Sequence, residues 1–138
     1  MIAYVDSSVI LRRILGQPGV LEEWKELEAP IASALVEVEC LRTLDRLRIA
    51  RSIDDRQVSE WRQAVYRLLG EAELIEINRS VLARAAQPLP TMLGTLDAIH
   101  LATAMLWRER GVAELVMATH DEALATAARA SGFVVVGV

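Results

Sequence analysis

Five short apolar runs separated by helical segments constrain this chain more than any other feature. Ile2 to Val5, Ile31-Ala32, Leu74 to Ile77, Leu115 to Ala118 and Phe133 to Val136 contain, Glu76 apart, no charged residue. A half-exposed strand alternates polar and apolar positions, whereas a run that is apolar throughout suits a strand covered on both faces. Parallel strands also need long crossovers, which the intervening helices supply. The pattern predicts an α/β fold: a short, mostly parallel central sheet flanked by helices in three layers. At 138 residues the chain fits one domain, residues 1–138, with little room for a second core.

Capping and stop signals place the helices. Asp6-Ser7-Ser8 follows the first run, where serine can cap a helix over Val9 to Leu15 that ends at Gly16-Gln17-Pro18-Gly19. Val20 to Glu28 reads as a second helix, from Leu21, Trp24, Lys25 and Glu28 at i, i+3, i+4 and i+7. Ser33 is expected to cap a long helix from Ala34 to about Ala50. Asp54 caps the clearest amphipathic segment, in which Val58, Trp61, Val65 and Leu68 recur before Gly70. Ser80 is expected to start a short helix through Ala86, and the prolines of Gln87-Pro88-Leu89-Pro90-Thr91 require a loop. Thr95 caps Leu96 to Arg110, and Asp121 to Ala130 is the last helix, closed by Gly132.

Composition narrows the function. No apolar stretch approaches the roughly 20 residues of a membrane-spanning helix. The first residues lack the basic region and apolar core of a secretory signal, so a soluble, cytoplasmic protein is expected. Cys40 is the only cysteine, and His100 and His120 are the only histidines, which disfavours a thiolate or multi-histidine zinc site. A bound metal must then rely on oxygen ligands. The net charge of −4, from 15 basic and 19 acidic residues, argues against loose electrostatic binding to nucleic acid. If four of those acids share a metal site, removing them brings the sum to zero, and an RNA substrate stays open. Lys25 is the lone lysine among the basic residues; arginine suits bidentate phosphate contacts, and genome composition accounts for it equally well.

Four acids stand out. In open α/β sheets ligands gather at the carboxyl ends of strands, where loops and helix N-termini converge. Asp6 follows the first strand directly, and Asp121 follows the fourth through Thr119-His120. Asp97 lies in the first turn of its helix among Leu96, Ile99 and Leu101. Taken singly, each of these three is accounted for as a helix cap or a first-turn acid that favours the helix dipole. Glu39 sits inside a helix among Val36, Val38, Cys40 and Leu41, where an unpaired carboxylate is costly; Arg42 is its local partner and Glu37 the competing acid. Taken together, acids from separated segments repel one another until cations neutralise them. That suits Mg²⁺, with Mn²⁺ as a substitute, and water activated for phosphodiester hydrolysis.

The chain resembles PIN-domain ribonucleases, specifically the VapC-type toxins of toxin-antitoxin pairs, over nearly its whole length. The resemblance is carried by Tyr4-Val5-Asp6-Ser7-Ser8, Val38-Glu39-Cys40-Leu41-Arg42, Leu96-Asp97-Ala98-Ile99-His100-Leu101-Ala102-Thr103-Ala104 and Ala118-Thr119-His120-Asp121, in that order and spacing. It implies that Asp6, Glu39, Asp97 and Asp121 are the catalytic, metal-binding acids, with Ser7 and Thr119 supporting them through hydrogen bonds. It also implies an RNA substrate, a VapB-type antitoxin packed in a groove by the site, and a homodimer. Leu11, Leu15, Leu21 and Trp24 are candidates for that groove or for simple packing on the sheet. His100 needs no general-base role if a metal activates the water, and His120 reads as an exposed loop residue. Gln87 to Thr95 is a candidate for RNA selection.

Other α/β readings fit less well. A phosphatase that forms an aspartyl-phosphate needs a second acid two residues after the first, where this chain has Ser8. A receiver domain needs an acidic pair beside Asp6 and a lysine after a late strand, and Lys25 is not so placed. The alternative from another class is a module on the same fold that binds RNA or protein without cutting it.

Overall fold

The computed structural model describes residues 1–138, and its architecture is organised around β1 (Ala3–Val5), whose three residues are fully buried. Ala3 and Val5 point into one helical layer and Tyr4 into the other, the two-residue period of a strand covered on both faces. β2 (Ile31–Ser33), β3 (Glu73–Ile75), β4 (Val116–Ala118) and β5 (Val135–Val136) complete an all-parallel sheet of order β3-β2-β1-β4-β5. Tyr4 is registered with Ile31 on one side and Met117 on the other.

One face carries α1 (Ser7–Ile14), α2 (Leu35–Arg51) and α3 (Asp55–Gly70), which bury Val9, Ile10, Val36, Cys40, Leu44 and Val65 against Ala3, Val5 and Ala118. The opposite face carries α5 (Thr95–Glu109) and α6 (Glu122–Ala130), which bury Leu101, Ala104, Leu124 and Ala128 against Tyr4 and Met117. α4 (Arg79–Ala85) packs against α5. The result is the three-layer α/β arrangement expected from the apolar runs. No helix is long and apolar enough to cross a membrane.

Local departures have local causes. Val20 to Glu28 forms only a 3-10 segment over Glu22–Glu26. The Glu28 amide donates to the Met1 carbonyl at 3.2 Å and the Met1 ammonium to the Glu26 carbonyl at 2.8 Å, so backbone groups that a longer helix needs are engaged elsewhere. Leu21 is buried in the core, and the partly buried Leu11, Leu15 and Trp24 pack against it. Asp6, not a serine, caps α1, and Asn78, not Ser80, caps α4 through a 3.0 Å bond from the Val81 amide. Gly94 takes the cap position of α5, with Thr95 already helical. Ser33 stays in β2, yet its Oγ accepts the Leu35 amide at 3.1 Å and so serves the start of α2 from one residue further back. Pairing with β2 draws β3 forward to Glu73. Phe133 leaves the last strand for the core, under the Arg108 guanidinium at 3.9 Å.

Candidate active site

The chain builds β1, β2 and β3 toward one edge and returns to build β4 and β5 toward the other, so the carboxyl ends of β1 and β4 flank a topological switch point. Asp6 leaves β1 there and Thr119 leaves β4. The Asp6 backbone amide donates to the Ala118 carbonyl at 3.3 Å, which locks the two strand ends side by side.

Asp6 is 3% exposed, and both of its carboxylate oxygens are engaged. Oδ1 accepts the Ser8 hydroxyl at 2.6 Å and the Val9 amide at 3.3 Å, and Oδ2 accepts the Thr119 hydroxyl at 2.7 Å. Thr119 Oγ1 in turn accepts the Asp121 amide at 3.0 Å, while Asp121 Oδ1 accepts the Leu124 amide at 2.8 Å as the cap of α6. Cap and site residue are therefore compatible roles for the same aspartate. The hydroxyl that supports Asp6 beside Thr119 belongs to Ser8, which sits one residue further into α1 than Ser7 and reaches back to the cap. Ser8 Oγ also accepts the His120 amide at 2.9 Å, which ties α1 to the loop after β4. Ser7 instead lines a groove with Glu39.

Glu39 points inward from α2 with its side chain 16% exposed, whereas Glu37 is exposed. Its partner is not Arg42, which pairs with Asp45 at 3.0 Å, but His100 of α5, whose Nε2 lies 2.6 Å from Oε1. An ionised carboxylate only accepts, so Nε2 carries the proton. In the neutral ring Nδ1 is then an acceptor for the Tyr4 hydroxyl at 2.7 Å, and Tyr4 itself accepts the Ser33 amide at 3.2 Å. The chain Ser33, Tyr4, His100, Glu39 thus runs from the end of β2 through the core to the site. His100 and Tyr4 are 1% and 0% exposed. Burial raises the Tyr4 phenol well above its ordinary range, which keeps it a proton donor.

Asp97 feels the other three acids. Burial raises the Asp97 carboxyl, the charge of Asp121 raises it further, His100 offsets part of this, and Asp6 and Glu39 add to it. Burial also raises Asp6, against the hydroxyls of Ser8 and Thr119, which favour its ionised form. Nearby Cys40 is pushed up to about 12 by burial and then by Glu39 and Asp6, so it is an inert thiol of the core. No three acids, histidines or cysteine converge tightly enough to enclose a metal ion by themselves. An all-oxygen donor set of mutually repelling carboxylates nevertheless fits a hard ion such as Mg²⁺, which is held by one or two carboxylates and retains several waters.

His120 is anchored rather than free. Its Nδ1 meets the Gly137 carbonyl at 2.7 Å, and Gly137 has φ 101°, where an added Cβ would lie 2.5 Å from the Thr119 carbonyl oxygen. The C-terminal residues therefore close over Thr119 and His120 only because position 137 is glycine. Gln87 to Leu93 lines a hollow of about 710 Å³ with α4 and the start of α5, and none of its lining residues is charged. The charged groove of about 400 Å³ lies instead beside Glu39, between α2 and the start of α5.

Comparison with known proteins agrees with this fold. The model of the PIN domain matches residues 3–130. The chain is 32% identical over 136 residues to Ribonuclease VapC46 of Mycobacterium tuberculosis, covering 96% of this chain and 95% of that protein. Among solved structures it is similar to FitAB bound to an IR36 DNA fragment, with TM-score 0.68 and 18% identity over 97% of this chain and 93% of that one. A toxin-antitoxin complex from Klebsiella pneumoniae gives TM-score 0.65 and 19% identity over 89% and 90% of the two chains. VapBC2 from Rickettsia felis, bound to a promoter DNA fragment, gives 0.63 and 11% over 98% and 97%.

Proposed function

The chain belongs to the PIN-domain family, and from that premise we propose that it is a Mg²⁺-dependent endoribonuclease, the toxin of a VapBC-type toxin-antitoxin pair. The observation that carries this reading is the electrostatic coupling of Asp97 to Asp121, Asp6 and Glu39, four acids from four separate segments. Like charges gathered at a switch point without a lysine or arginine partner are unfavourable alone and favourable around a cation. Asp6, Glu39, Asp97 and Asp121 would hold it, with Mn²⁺ as a substitute. When bound, the ion eases the deprotonation of water and neutralises charge building on the scissile phosphate.

The remaining work falls to the chain's own groups. Thr119 and Ser8 hold Asp6 in one rotamer by hydrogen bonds to both oxygens. Nε2 of His100 holds Oε1 of Glu39, leaving Oε2 for the site. Asp97, the least constrained of the four, carries no hydrogen bond that competes with a ligand. The similarity to a ribonuclease supports RNA as substrate, and the similarity to toxin-antitoxin complexes supports a VapB-type antitoxin as partner, with a homodimer and a cytoplasmic location following from the same reading.

A second reading, a module that binds RNA or protein without cutting it, draws on the open spacing of the acids. Cleavage of total cellular RNA by purified protein, freed of antitoxin, separates the two. Discrete fragments that require Mg²⁺ or Mn²⁺ and vanish in Asp97→Asn support the nuclease; intact RNA under every metal supports the binding module.

A further inference from the structure

We infer that the face of α2 beyond Glu39 is a track for the phosphate backbone of single-stranded RNA, with Arg46 as its principal contact and Arg42 as its second. This rests on the ribonuclease reading and gives the substrate a route to the site. Glu39, Arg42, Thr43 and Arg46 recur at i, i+3, i+4 and i+7 and so share one stripe of the helix. They line the groove of about 400 Å³ together with Ser7, Val38 and Leu96. At 1.5 Å per residue, Arg42 and Arg46 stand roughly 4.5 and 10.5 Å along the helix from Glu39.

Arg46 has no carboxylate partner. Its one side-chain hydrogen bond runs from Nη2 to Thr43 Oγ1 at 2.9 Å, a neutral acceptor that leaves the positive charge and most of the guanidinium donors free. Arg48, Arg56 and Arg84 are paired with acids, and what separates Arg46 from the other unpaired arginines is its place in the groove beside Glu39. Arg42 is paired with Asp45, with side chains 62% and 39% exposed, and an exposed pair of that kind exchanges readily for a phosphate. The four acids repel a polyanion, so a strand needs cationic contacts a turn or two away to be held while one phosphodiester reaches them. Val38 and Leu96, 50% and 49% exposed, flank the groove with apolar surface for unstacked bases.

The test uses the full chain with and without Arg46→Ala, beside Arg67→Ala on exposed α3 as control. A fluorescent, mixed-sequence single-stranded RNA oligonucleotide is titrated by anisotropy in the Asp97→Asn background, and the same RNA is cleaved by the chain with Asp97 intact. Arg46→Ala should weaken binding about tenfold, as loss of one charge-assisted hydrogen bond does. It should flatten the slope of log affinity against log salt by about 0.7, the increment for one phosphate on a single strand. In cleavage it should raise KM with kcat unchanged, and Arg46→Lys should restore most of the salt slope. Weakened binding in a protein that cuts no RNA supports the track and removes the nuclease reading. Unchanged binding, salt slope and KM in a protein that cuts RNA overturns the track and leaves the nuclease. Absence of RNA binding, or stronger Arg46-dependent capture of a polyglutamate peptide than of RNA, overturns it in favour of an acidic protein segment.

Discussion

Nε2 of His100 donates to Oε1 of Glu39 across 2.6 Å, joining two helices whose contributing residues lie 61 positions apart. The bond fixes an acid that would otherwise turn toward solvent, and the buried Tyr4 hydroxyl fixes the imidazole in turn. His100 is thus a positioning residue. His100→Leu should lower cleavage about 10- to 100-fold, the usual cost of losing a group that orients a metal-binding side chain. His100→Gln, which keeps a donor at similar reach, should recover part of that rate. Equal loss in both variants, measured as kcat on one RNA, would assign the bond a merely structural role.

Asp97→Asn keeps size and removes charge. If the loss of a supporting group costs up to about 100-fold, loss of a ligand should leave less than about 1% of the cleavage rate. In EDTA the melting temperature should not fall, because the amide no longer repels Asp121, Asp6 and Glu39. Retained cleavage sinks the ligand role.

Glu37 and Glu39 are separated by burial. Glu39→Gln should abolish cleavage, and Glu37→Gln, on the exposed side of α2, should leave it within about twofold, as for surface substitutions remote from a site. The reverse pattern in a side-by-side RNA digest would place the working face of α2 on the wrong side.

Removal of metal by EDTA should silence cleavage, and Mn²⁺ should restore it. The same ion should raise the melting temperature of the protein but not that of Asp97→Asn, since an ion that binds only the folded state stabilises it by mass action. A chelator-resistant nuclease would end the metal hypothesis.

The pH dependence of the metal-free protein follows from the raised carboxyls of Asp6 and Asp97. A raised folded-state pKa means that the folded chain binds protons more tightly than the unfolded chain. The stabilising contribution is fully present below the ordinary carboxylate range and is lost as pH rises through the raised values. Thermal melts in EDTA should therefore show Asp6→Asn gaining on the parent protein as pH rises from the ordinary carboxylate range toward neutrality. A constant difference across that range would contradict the burial-driven shift at Asp6.

Much of the fold was legible because its signals are local. An all-apolar run such as Leu115 to Ala118 can be satisfied only by cover on both faces, so parallel strands between helices follow from the chain itself. The same logic found Asp6 and Asp121 at strand ends and Glu39 as a carboxylate in apolar company. Where local signals compete, the sequence reads more coarsely: Ser7, Ser8 and Asp6 are all capable caps, and only the backbone decides which one takes the extended conformation at the helix start. The helical spacing of Leu21, Trp24 and Glu28 lost to backbone bonds with Met1, a partner more than 20 residues away.

The sequence by itself determined the layers and the order of strands and helices, and it nominated the four acids, because periodicity and residue chemistry are properties of neighbours along the chain. Tertiary structure alone decided which hydroxyl and which ring hold those acids. Thr119 reaches Asp6 across 113 residues and His100 reaches Tyr4 across 96, through the register of β1 with β4 and the packing of α5 beneath the sheet. A hydrogen bond forms only within about 3 Å and in a narrow range of angles, and no spacing along the chain encodes that precision until the strands are aligned.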